Sequence, residues 1–578
     1  MLESTRAIMG IIRLITGMSC LAFASQTLAE VQFPDAGAIM RNQPRPLMNA
    51  PTVQPPIAVP KPTAPSAGQS GKLIAKKWNV TGATLIPKAE LEAYIAPDLG
   101  RELTVQDLWA VAQKVAMYYR ERGYLVRAWL PQQKIADGEV EIRVVEGNLE
   151  DVNITNPNNV ISSETAKKTI LAAQPAGQVI RMDDLERGVL LLNDLPGVSA
   201  IPTLKQGTKP GTTSLDLNIE SRPTINGSLD YANAGINPVG EHQFGGSLFI
   251  NHPFGMGDQA TFRLQGGSGN VYGRITYTMP IGYSGLRVGV AGSGMYYVLS
   301  SVAYFEDLSS RDVDGDAWVG GTFASYPLIR RSTTNLYTLA GFDTRRYHNV
   351  SNISTLSDKT INVGYVGLQG DHRDSLIGGG FSNFSFYLSA GDLDTKDFKP
   401  YYDLDQLTAR TQGSYQKFTL AFSRLQKVYG PFSFWSNFVG QLSTKNLDSS
   451  EKFSLGGPYG VRAYPVNEAL ADEGYLMNFE LRYDVYNNVQ LVGFVDHGGV
   501  TLHNNPWLGI DNGLGNFNNS YTLSGGGFGV NWISPGDFAV KLSVAQRIGT
   551  NPGASSKGRD VDGTYDTPHF WAQLSKYF

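Results

Sequence analysis

The chain has 578 residues, with 48 Lys+Arg against 52 Asp+Glu and a formal net charge of −4, so it carries no basic footprint for nucleic acid. It contains 64 glycines, 28 tyrosines and 26 phenylalanines at a mean hydropathy of −0.19. A helical membrane protein needs repeated apolar runs of about 20 residues, and only the N-terminus approaches one; alternating membrane strands give such a composition instead.

Residues 1–29 read as a secretory signal. Arg6 and Arg13 precede a mostly apolar stretch from Leu14 to Ala24. Small-residue cleavage sites follow, after Ala29 (Thr27-Leu28-Ala29) or after Ala24 (Ala22-Phe23-Ala24). An uncleaved anchor is the alternative, but the apolar stretch is too short to span a bilayer. Cys20, the only cysteine, lies inside this leader, and Gly17 stands where a lipobox places Leu. The mature chain is therefore expected to be exported and to have no disulfide.

A short helix is expected between Pro34 and Asn42, followed by a Pro-rich tract through Pro65. Proline removes backbone donors and fixes φ, so the tract reads as an extended spacer or a disordered tail. From Lys72 the composition becomes that of a compact α+β domain. Trp78 opens a strand and turn, and Thr104-Val-Gln-Asp107 reads as a capping box with Asp in place of Glu. The helix it starts places Val105, Leu108, Trp109, Ala112, Val115 and Tyr119 on one face, and Gly123 ends it. Strands at Leu125–Leu130 and Glu139–Val145 follow. The stretch after Glu146-Gly-Asn repeats the plan with a strand at Asp151–Thr155, helices at Ser162–Ala172 and Met182–Asn193, and strands near Ser199–Leu204 and Ser214–Glu220. Two βααββ units of this kind leave sheet edges open to strand addition.

After Arg222-Pro223 the pattern becomes one of recurring strands. Tyr272, Arg274, Thr276 and Thr278 alternate with Gly273, Ile275, Tyr277 and Met279. Asn478, Glu480, Arg482 and Asp484 likewise oppose Tyr475, Met477, Phe479, Leu481 and Tyr483. An apolar outer face and a polar inner face are what a lipid-embedded, water-filled barrel requires. The turns divide the region into about sixteen strands. They start near residues 224, 242, 258, 270, 285, 315, 334, 359, 380, 412, 431, 474, 489, 522, 537 and 568. In the last, Pro568–Phe578, Phe570, Ala572, Leu574 and Phe578 share a face, and Lys576 is placed to snorkel. A closed barrel with an even number of strands satisfies every backbone group in lipid.

The longest interruption late in the chain runs from Ser443 to about Glu473 and contains Leu455-Gly-Gly-Pro-Tyr-Gly-Val-Arg-Ala-Tyr464. Gly456, Gly457 and Gly460 permit tight turns. Arg462, between Val461 and Tyr464, either stays in water or folds inward to pair with a carboxylate of the lumen. Asp496, in Gly493-Phe-Val-Asp-His-Gly-Gly499, alternates with lipid-facing Leu491 and Val495 and so points into the lumen, unless it is a turn residue before Gly-Gly. The seven histidines include no pair at metal-ligand spacing, and no nucleophile–base pair stands out. No cofactor or catalytic residue is therefore expected. The near-identical loops Arg311-Asp-Val-Asp-Gly315 and Arg559-Asp-Val-Asp-Gly563 read better as solvated turns than as calcium loops. The Gly266–Gly273 cluster reads as a hairpin.

Together these segments resemble the outer-membrane assembly and translocation superfamily, which carries a VRGY-type motif on its sixth surface loop and an F-x-D-x-G motif on a nearby strand. Here they stand as Val461-Arg462-Ala463-Tyr464 and Phe494-Val495-Asp496-His497-Gly498. Ala463 replaces the usual glycine, which argues against a left-handed backbone at that position. Within the superfamily the chain is similar to the two-partner-secretion transporters (TpsB) of the haemolysin and filamentous-haemagglutinin type. Leu190-Leu-Leu-Asn-Asp-Leu-Pro-Gly-Val198 resembles their second POTRA domain and Pro34-Asp-Ala-Gly37 the start of their plug helix.

The resemblance implies a mainly β chain: a signal peptide at 1–29, a plug helix at 30–43, a linker at 44–71, α+β POTRA domains at 72–147 and 148–222, and a sixteen-stranded antiparallel transmembrane barrel at 223–578. It implies an ion pair between Arg462 and Asp496 that locks the loop in the lumen. Its expected location is the outer membrane of a Gram-negative bacterium, with the POTRA domains in the periplasm. The implied function is ATP-independent export of one large exoprotein, an adhesin or haemolysin, captured by its N-terminal secretion domain. Other implied partners are membrane lipid, periplasmic chaperones, and assembly machinery that reads Phe578. The alternative is an outer-membrane assembly or insertion factor, whose members typically carry three or more POTRA domains and lack a plug linker.

Overall fold

The computed structural model describes residues 34–43 and 72–578, apart from 136, 300–312, 487, 508–509, 511–516, 535, 556 and 566. The expected signal peptide and the Pro-rich linker lie outside the described residues.

The first α+β unit is a three-stranded sheet with Glu139–Glu146 at its centre. That strand pairs in parallel with Lys77–Thr81 and antiparallel with Val126–Trp129. Alternation buries Val140, Ile142 and Val144 on one face. Trp78 packs there too, and its indole Nε1 donates to the Ile95 carbonyl (2.9 Å) at the end of helix Lys88–Ile95. The helix Val105–Glu121 opens on a capping box, in which the Thr104 hydroxyl accepts from the Asp107 N–H and the Asp107 carboxylate accepts from the Thr104 N–H. Its buried stripe is Leu108, Val111, Ala112, Val115, Ala116 and Tyr119. The expected face is corrected at its edges: Val105 and Trp109 are only half-buried, because the buried stripe runs through Leu108, Ala112, Val115 and Tyr119 and leaves these two at its margins. Two three-residue strands, Lys72–Ile74 and Glu102–Thr104, pair beside this sheet. They are too short to show a period in sequence.

The second unit has strand Thr212–Ser221 at the centre, parallel to Asn148–Thr155 and antiparallel to Val198–Gln206. Helices Ser163–Ala173 and Met182–Asn193 cover it, with Ile170, Leu185, Val189 and Leu192 in the core. The buried Asn193 joins helix to strand: its amide donates to the carbonyls of Val189 and Ala200, and its Oδ1 accepts from the Ala200 N–H.

Among the described residues, sixteen antiparallel strands close into one barrel, in which Ile225–Ala232 pairs with both Gln243–Asn251 and His569–Tyr577. The strand positions follow the alternation. The largest offset is at the eighth strand, which begins at Thr355 rather than near 359. Leu229, Phe244, Leu264 and Ile275 stand exposed on the outer wall, as lipid contact requires, while the intervening residues face the lumen. The connections at the end nearer the α+β units are short turns, and most of those at the other end are long, apart from the tight turns at 267–269 and 352–354. The ninth and tenth strands, Gly380–Asp394 and Gly413–Tyr429, are joined by a segment holding helix Lys399–Leu407, which the strand pattern did not announce. The Arg559–Gly563 turn is also corrected. Asp560 and Asp562 are buried rather than solvated, since Asp560 is paired with Arg547 and accepts from Asn551, and Asp562 accepts from Thr564.

The second unit is docked onto the short-turn end. Arg330, 1 % exposed, donates through Nε and Nη2 to the two carboxylate oxygens of Asp194 (2.7 and 2.6 Å). Arg187 donates to the Pro327 carbonyl, and Arg331 pairs with Asp183. Leu195 lies against Gly257 and Leu191 against Gly285.

Candidate functional site: an inward-folded loop and a seated helix

The eleventh and twelfth strands, Phe432–Ser443 and Glu473–Tyr486, are joined by a long loop that folds into the lumen instead of standing in solvent. Leu455, Val461, Ala463 and Tyr464 on this loop are all at most 1 % exposed. Its tip is shaped by glycine. A Cβ on Gly456 would lie 2.1 Å from the Pro465 carbonyl oxygen, and one on Gly460 would lie 2.1 Å from that of Leu455. Gly457 adopts φ +108°, a region that side chains disfavour. A two-residue ladder, Phe453–Ser454 with Leu470–Ala471, ties the loop's two limbs.

Arg462 emerges from this tip. Its Nε donates to Asp496 Oδ2 (2.9 Å), its Nη2 to Asp496 Oδ1 (2.7 Å), and its own backbone N–H to Asp496 Oδ2 (3.0 Å). Asp496 is 0 % exposed, on the thirteenth strand Val489–Thr501, and so is a lumen residue rather than a turn residue. Two residues earlier on the same face, the Phe494 ring lies 3.5 Å below the Arg462 guanidinium. Two residues later, Gly498 leaves the space occupied by Leu455, whose Cδ1 would lie 2.3 Å from any Cβ there. The F-x-D-x-G spacing thus supplies a stacking surface, an acceptor and a notch on one face, as the period of two requires.

The motif residues do not act alone. Arg462 Nη1 donates to Glu480 Oε1 (2.7 Å), and Glu480 is held in turn by Arg482. Asn478 donates both to Asp496 Oδ1 and to the Gly460 carbonyl. Trp571 Nε1 donates to the Arg462 carbonyl (2.7 Å), and Arg547 Nε to that of Ala463. The Arg547 guanidinium also stands 4.9 Å above the Tyr464 ring. Asn478, Glu480 and Arg482 were visible on the polar face of their strand, but the alternation could not say which of them the loop would meet. Ala463 keeps negative φ, and its methyl rests on Gly525, whose own Cβ would lie 2.5 Å from it.

A short helix, Ala36–Arg41, is seated beside this loop inside the barrel. Asp35 caps it, accepting from the Ala38 N–H (2.9 Å), and the Ala36 N–H donates to Asn349 Oδ1 of the seventh strand, Thr334–Ser351. The Asp35 carboxylate also accepts from the Ser449 hydroxyl and pairs with Lys359 of the eighth strand. Gly37 passes so close to the loop that a Cβ would lie 2.9 Å from that of Ser450. Arg41 donates to the Lys452 carbonyl and to Asn467. Phe578 lies apart from all of this, at the closing seam. Its N–H donates to the Gly227 carbonyl and its carbonyl accepts from the Gly227 N–H, with the ring 62 % exposed.

Comparison with known proteins agrees with this architecture. Residues 211–531 match the family model described as haemolysin secretion/activation protein ShlB/FhaC/HecB, and residues 73–147 match the POTRA domain, ShlB-type. The heme/hemopexin transporter protein HuxB of Haemophilus influenzae (strain 86-028NP) is 28 % identical over 85 % of this chain and 84 % of its own length. The outer membrane transporter CdiB of Dickeya dadantii is 24 % identical over 73 % of this chain and 75 % of its own. The solved structure of CdiB from Escherichia coli superposes with a TM-score of 0.66 at 20 % identity, covering 97 % of this chain and 98 % of that one. The chain belongs to the ShlB/FhaC/HecB family of haemolysin secretion/activation proteins.

Proposed function

We propose that the protein is a non-enzymatic outer-membrane transporter that exports a large partner protein of the adhesin or haemolysin class through its barrel, with the α+β units in the periplasm. The observation that carries the reading is the state of the lumen. A passive diffusion pore needs only an open, polar interior. Here the interior holds a helix bound through Asp35 and a surface loop tied down through Arg462. Both are held by polar contacts together with apolar packing, and neither is a strand of the barrel wall, so both can be withdrawn. The second α+β unit stands at the mouth with the first joined to it, and the secretion domain of the partner adds as a strand to their sheet edges. Terminal Phe578, on the closing strand, is the signal that assembly machinery reads when the barrel is inserted, with chaperones escorting the unfolded chain.

An assembly factor for other barrels is the second reading. It is the weaker one, since the matched family is that of secretion proteins. Culture supernatants and outer membranes of cells with and without this chain separate the two. Loss of one large secreted species supports export, loss of many outer-membrane barrels supports insertion, and no loss of either overturns both.

A further inference from the structure

The lumen has two unlike halves. The helix and the inner part of the loop lie against a tyrosine-rich and aliphatic wall, where Tyr297, Tyr347, Ile361, Val363, Leu393 and Tyr415 form one buried cluster with Ala36 and Ile39, which also takes in Tyr272 of the fourth strand and Trp571 of the sixteenth. Across from it the lumen keeps a cavity of about 560 Å³, bounded by the inner faces of the first four strands and the last. Its walls carry hydroxyls and amides, among them Ser228, Ser247, Gln265, Thr276 and Gln573. Of its two arginines, Arg263 donates to both oxygens of Asp230, and also to the Ser247 hydroxyl and Gln265 Oε1, while Arg274 donates to the Thr276 hydroxyl. The remaining sides are Asn42 at the end of the helix and the loop turn Gly456–Gly460. Two of the cavity's boundaries are therefore the two withdrawable elements.

We infer that this polar half, formed by the first four strands and the sixteenth, is the track that receives the exported polypeptide in extended conformation, and that the tyrosine-rich half is the berth of the helix. The inference rests on the transporter reading above. An extended chain leaving water must find partners for a backbone N–H and C=O at every residue. A wall of hydroxyls and amides offers both donors and acceptors, and it serves any sequence because the backbone is common to all. The Arg263 charge is neutralised by Asp230, and the Arg274 guanidinium adds further N–H donors for passing carbonyls. The tyrosine and aliphatic wall offers apolar area with two fixed polar partners, Lys359 and Asn349, set in it, and so binds one amphipathic element well. A span of about 30 Å needs about nine extended residues, so the cavity holds a short stretch at first. Withdrawal of the helix end at Asn42 and of the loop turn then extends the track along the same strands.

The test uses the full chain, whose only cysteine is Cys20. Ser228→Cys and Ser247→Cys place a thiol on the proposed track. Ser385→Cys places one on the ninth strand across the barrel, between outward Phe384 and Phe386. Each variant is labelled with benzophenone-maleimide and irradiated in secreting cells. Adducts are assayed for the secreted species that disappears when this chain is deleted. Expected are adducts at 228 and 247 about fivefold over those at 385, as passage along one wall requires. Adducts at 385 equal to or above those at 228 and 247 overturn the track while leaving the transporter reading intact. Absence of any secreted species that depends on this chain overturns the transporter reading itself. Where the benzophenone group obstructs export, the alkylation rate of the unlabelled thiols by N-ethylmaleimide is compared with and without partner expression. Slower reaction confined to 228 and 247 supports the track, and protection at 385 alone or at all three positions overturns it.

Discussion

Lys359 on the eighth strand and Asp448 on the inward loop form a 2.7 Å ion pair in which neither side chain exceeds 2 % exposure, and the same ammonium reaches Asp35 of the seated helix at 2.6 Å. One cation therefore joins wall, loop and helix. Removing one partner of a buried pair costs on the order of 3–5 kcal/mol, because the others stay buried and uncompensated. Lys359→Met leaves two carboxylates facing each other and should expel the helix. In planar bilayers its conductance is expected to rise towards that of a chain lacking residues 31–65, with Asp35→Asn giving a smaller rise. Conductance equal to the parent's would show that Lys359 does not hold the helix.

Arg462→Ala leaves Asp496 and Glu480 facing an apolar gap. The loss is again about 3–5 kcal/mol of loop anchoring, while the barrel ladders are untouched. Secretion should fall to background, with the heat-modifiable barrel still present in outer membranes. Arg462→Lys keeps the charge but loses the forked donation to Asp496 and the reach to Glu480, so it should recover only part of the export. Full secretion by the alanine variant would remove the loop anchor from the mechanism.

How far the sequence discloses this site depends on the range of each contact. The barrel, its sixteen strands and the inward direction of Asp496 follow from a period of two, which is local and repeats across hundreds of residues. The capping box at Thr104 and the cap at Asp35 are local as well. Lys359 and Asp448 carried no signal, because nothing within a few residues of either distinguishes a buried lumen cation from an ordinary polar strand residue. Glu480 was placed on the correct face, but its partner lies across the folded loop. The buried Asp560 and Asp562 were misread for the same reason: a D-x-D-G turn is usually solvated, and only the packing of Arg547 and Asn551 over it removes the water.

The packing of Ala463 on Gly525 makes a reciprocal prediction. Gly525→Ala would set two methyl carbons 2.5 Å apart, although Gln546 O, at 3.4 Å, leaves room on the other side. Overpacking of this kind costs about 1–3 kcal/mol, and it should lift the Arg462 tip and lower secretion. Ala463→Gly removes the obstructing methyl, so the double variant should secrete better than Gly525→Ala alone. A double variant no better than the single one would show that the defect lies in the strand rather than in the loop contact.

Asp194 and Arg330 make the corresponding prediction for the periplasmic joint. The guanidinium is 1 % exposed and also donates to Asn335, so its pairing with Asp194 is well shielded. Asp194→Ala should release the second α+β unit from the barrel mouth while leaving that unit folded, since Asp194 belongs to no core cluster. Hydrogen exchange is expected to speed up in the 281–286 and 327–334 turns and to stay unchanged in strand Thr212–Ser221. Secretion should drop about tenfold if a fixed mouth is needed to feed the barrel, an effect of the size expected when a substrate is misplaced. Unchanged exchange in both turns would show that the apolar contacts of Leu191 and Leu195 suffice to dock the unit.

Glu146 sets a pH limit on the first unit. Burial acts to raise its pKa, but donation from the Leu85 and Thr84 N–H groups and from the Thr84 and Tyr119 hydroxyls outweighs burial and holds it below the ordinary 4.5. The three donors on Thr84 and Leu85 pin the loop preceding helix Lys88–Ile95 to the end of the central strand, and Tyr119 ties helix Val105–Glu121 to the same carboxylate. A carboxylate whose folded-state pKa is depressed binds fewer protons folded than unfolded between the two values. Its stabilisation is therefore fully present above about pH 4.5 and is lost as pH falls through the lower folded-state value. Glu146→Gln still accepts hydrogen bonds but carries no charge, so it should be less stable than the parent at pH 7 and should show a flatter acid limb. Hydrogen exchange at Thr84 and Leu85 of the full chain in detergent, labelled at pH 7, 5 and 3, corrected for the intrinsic pH dependence of exchange and quenched in cold acid, provides the comparison. The difference between parent and variant is expected to narrow steadily over that series, and a difference that widens towards acid would assign the loop's anchoring to contacts other than this carboxylate.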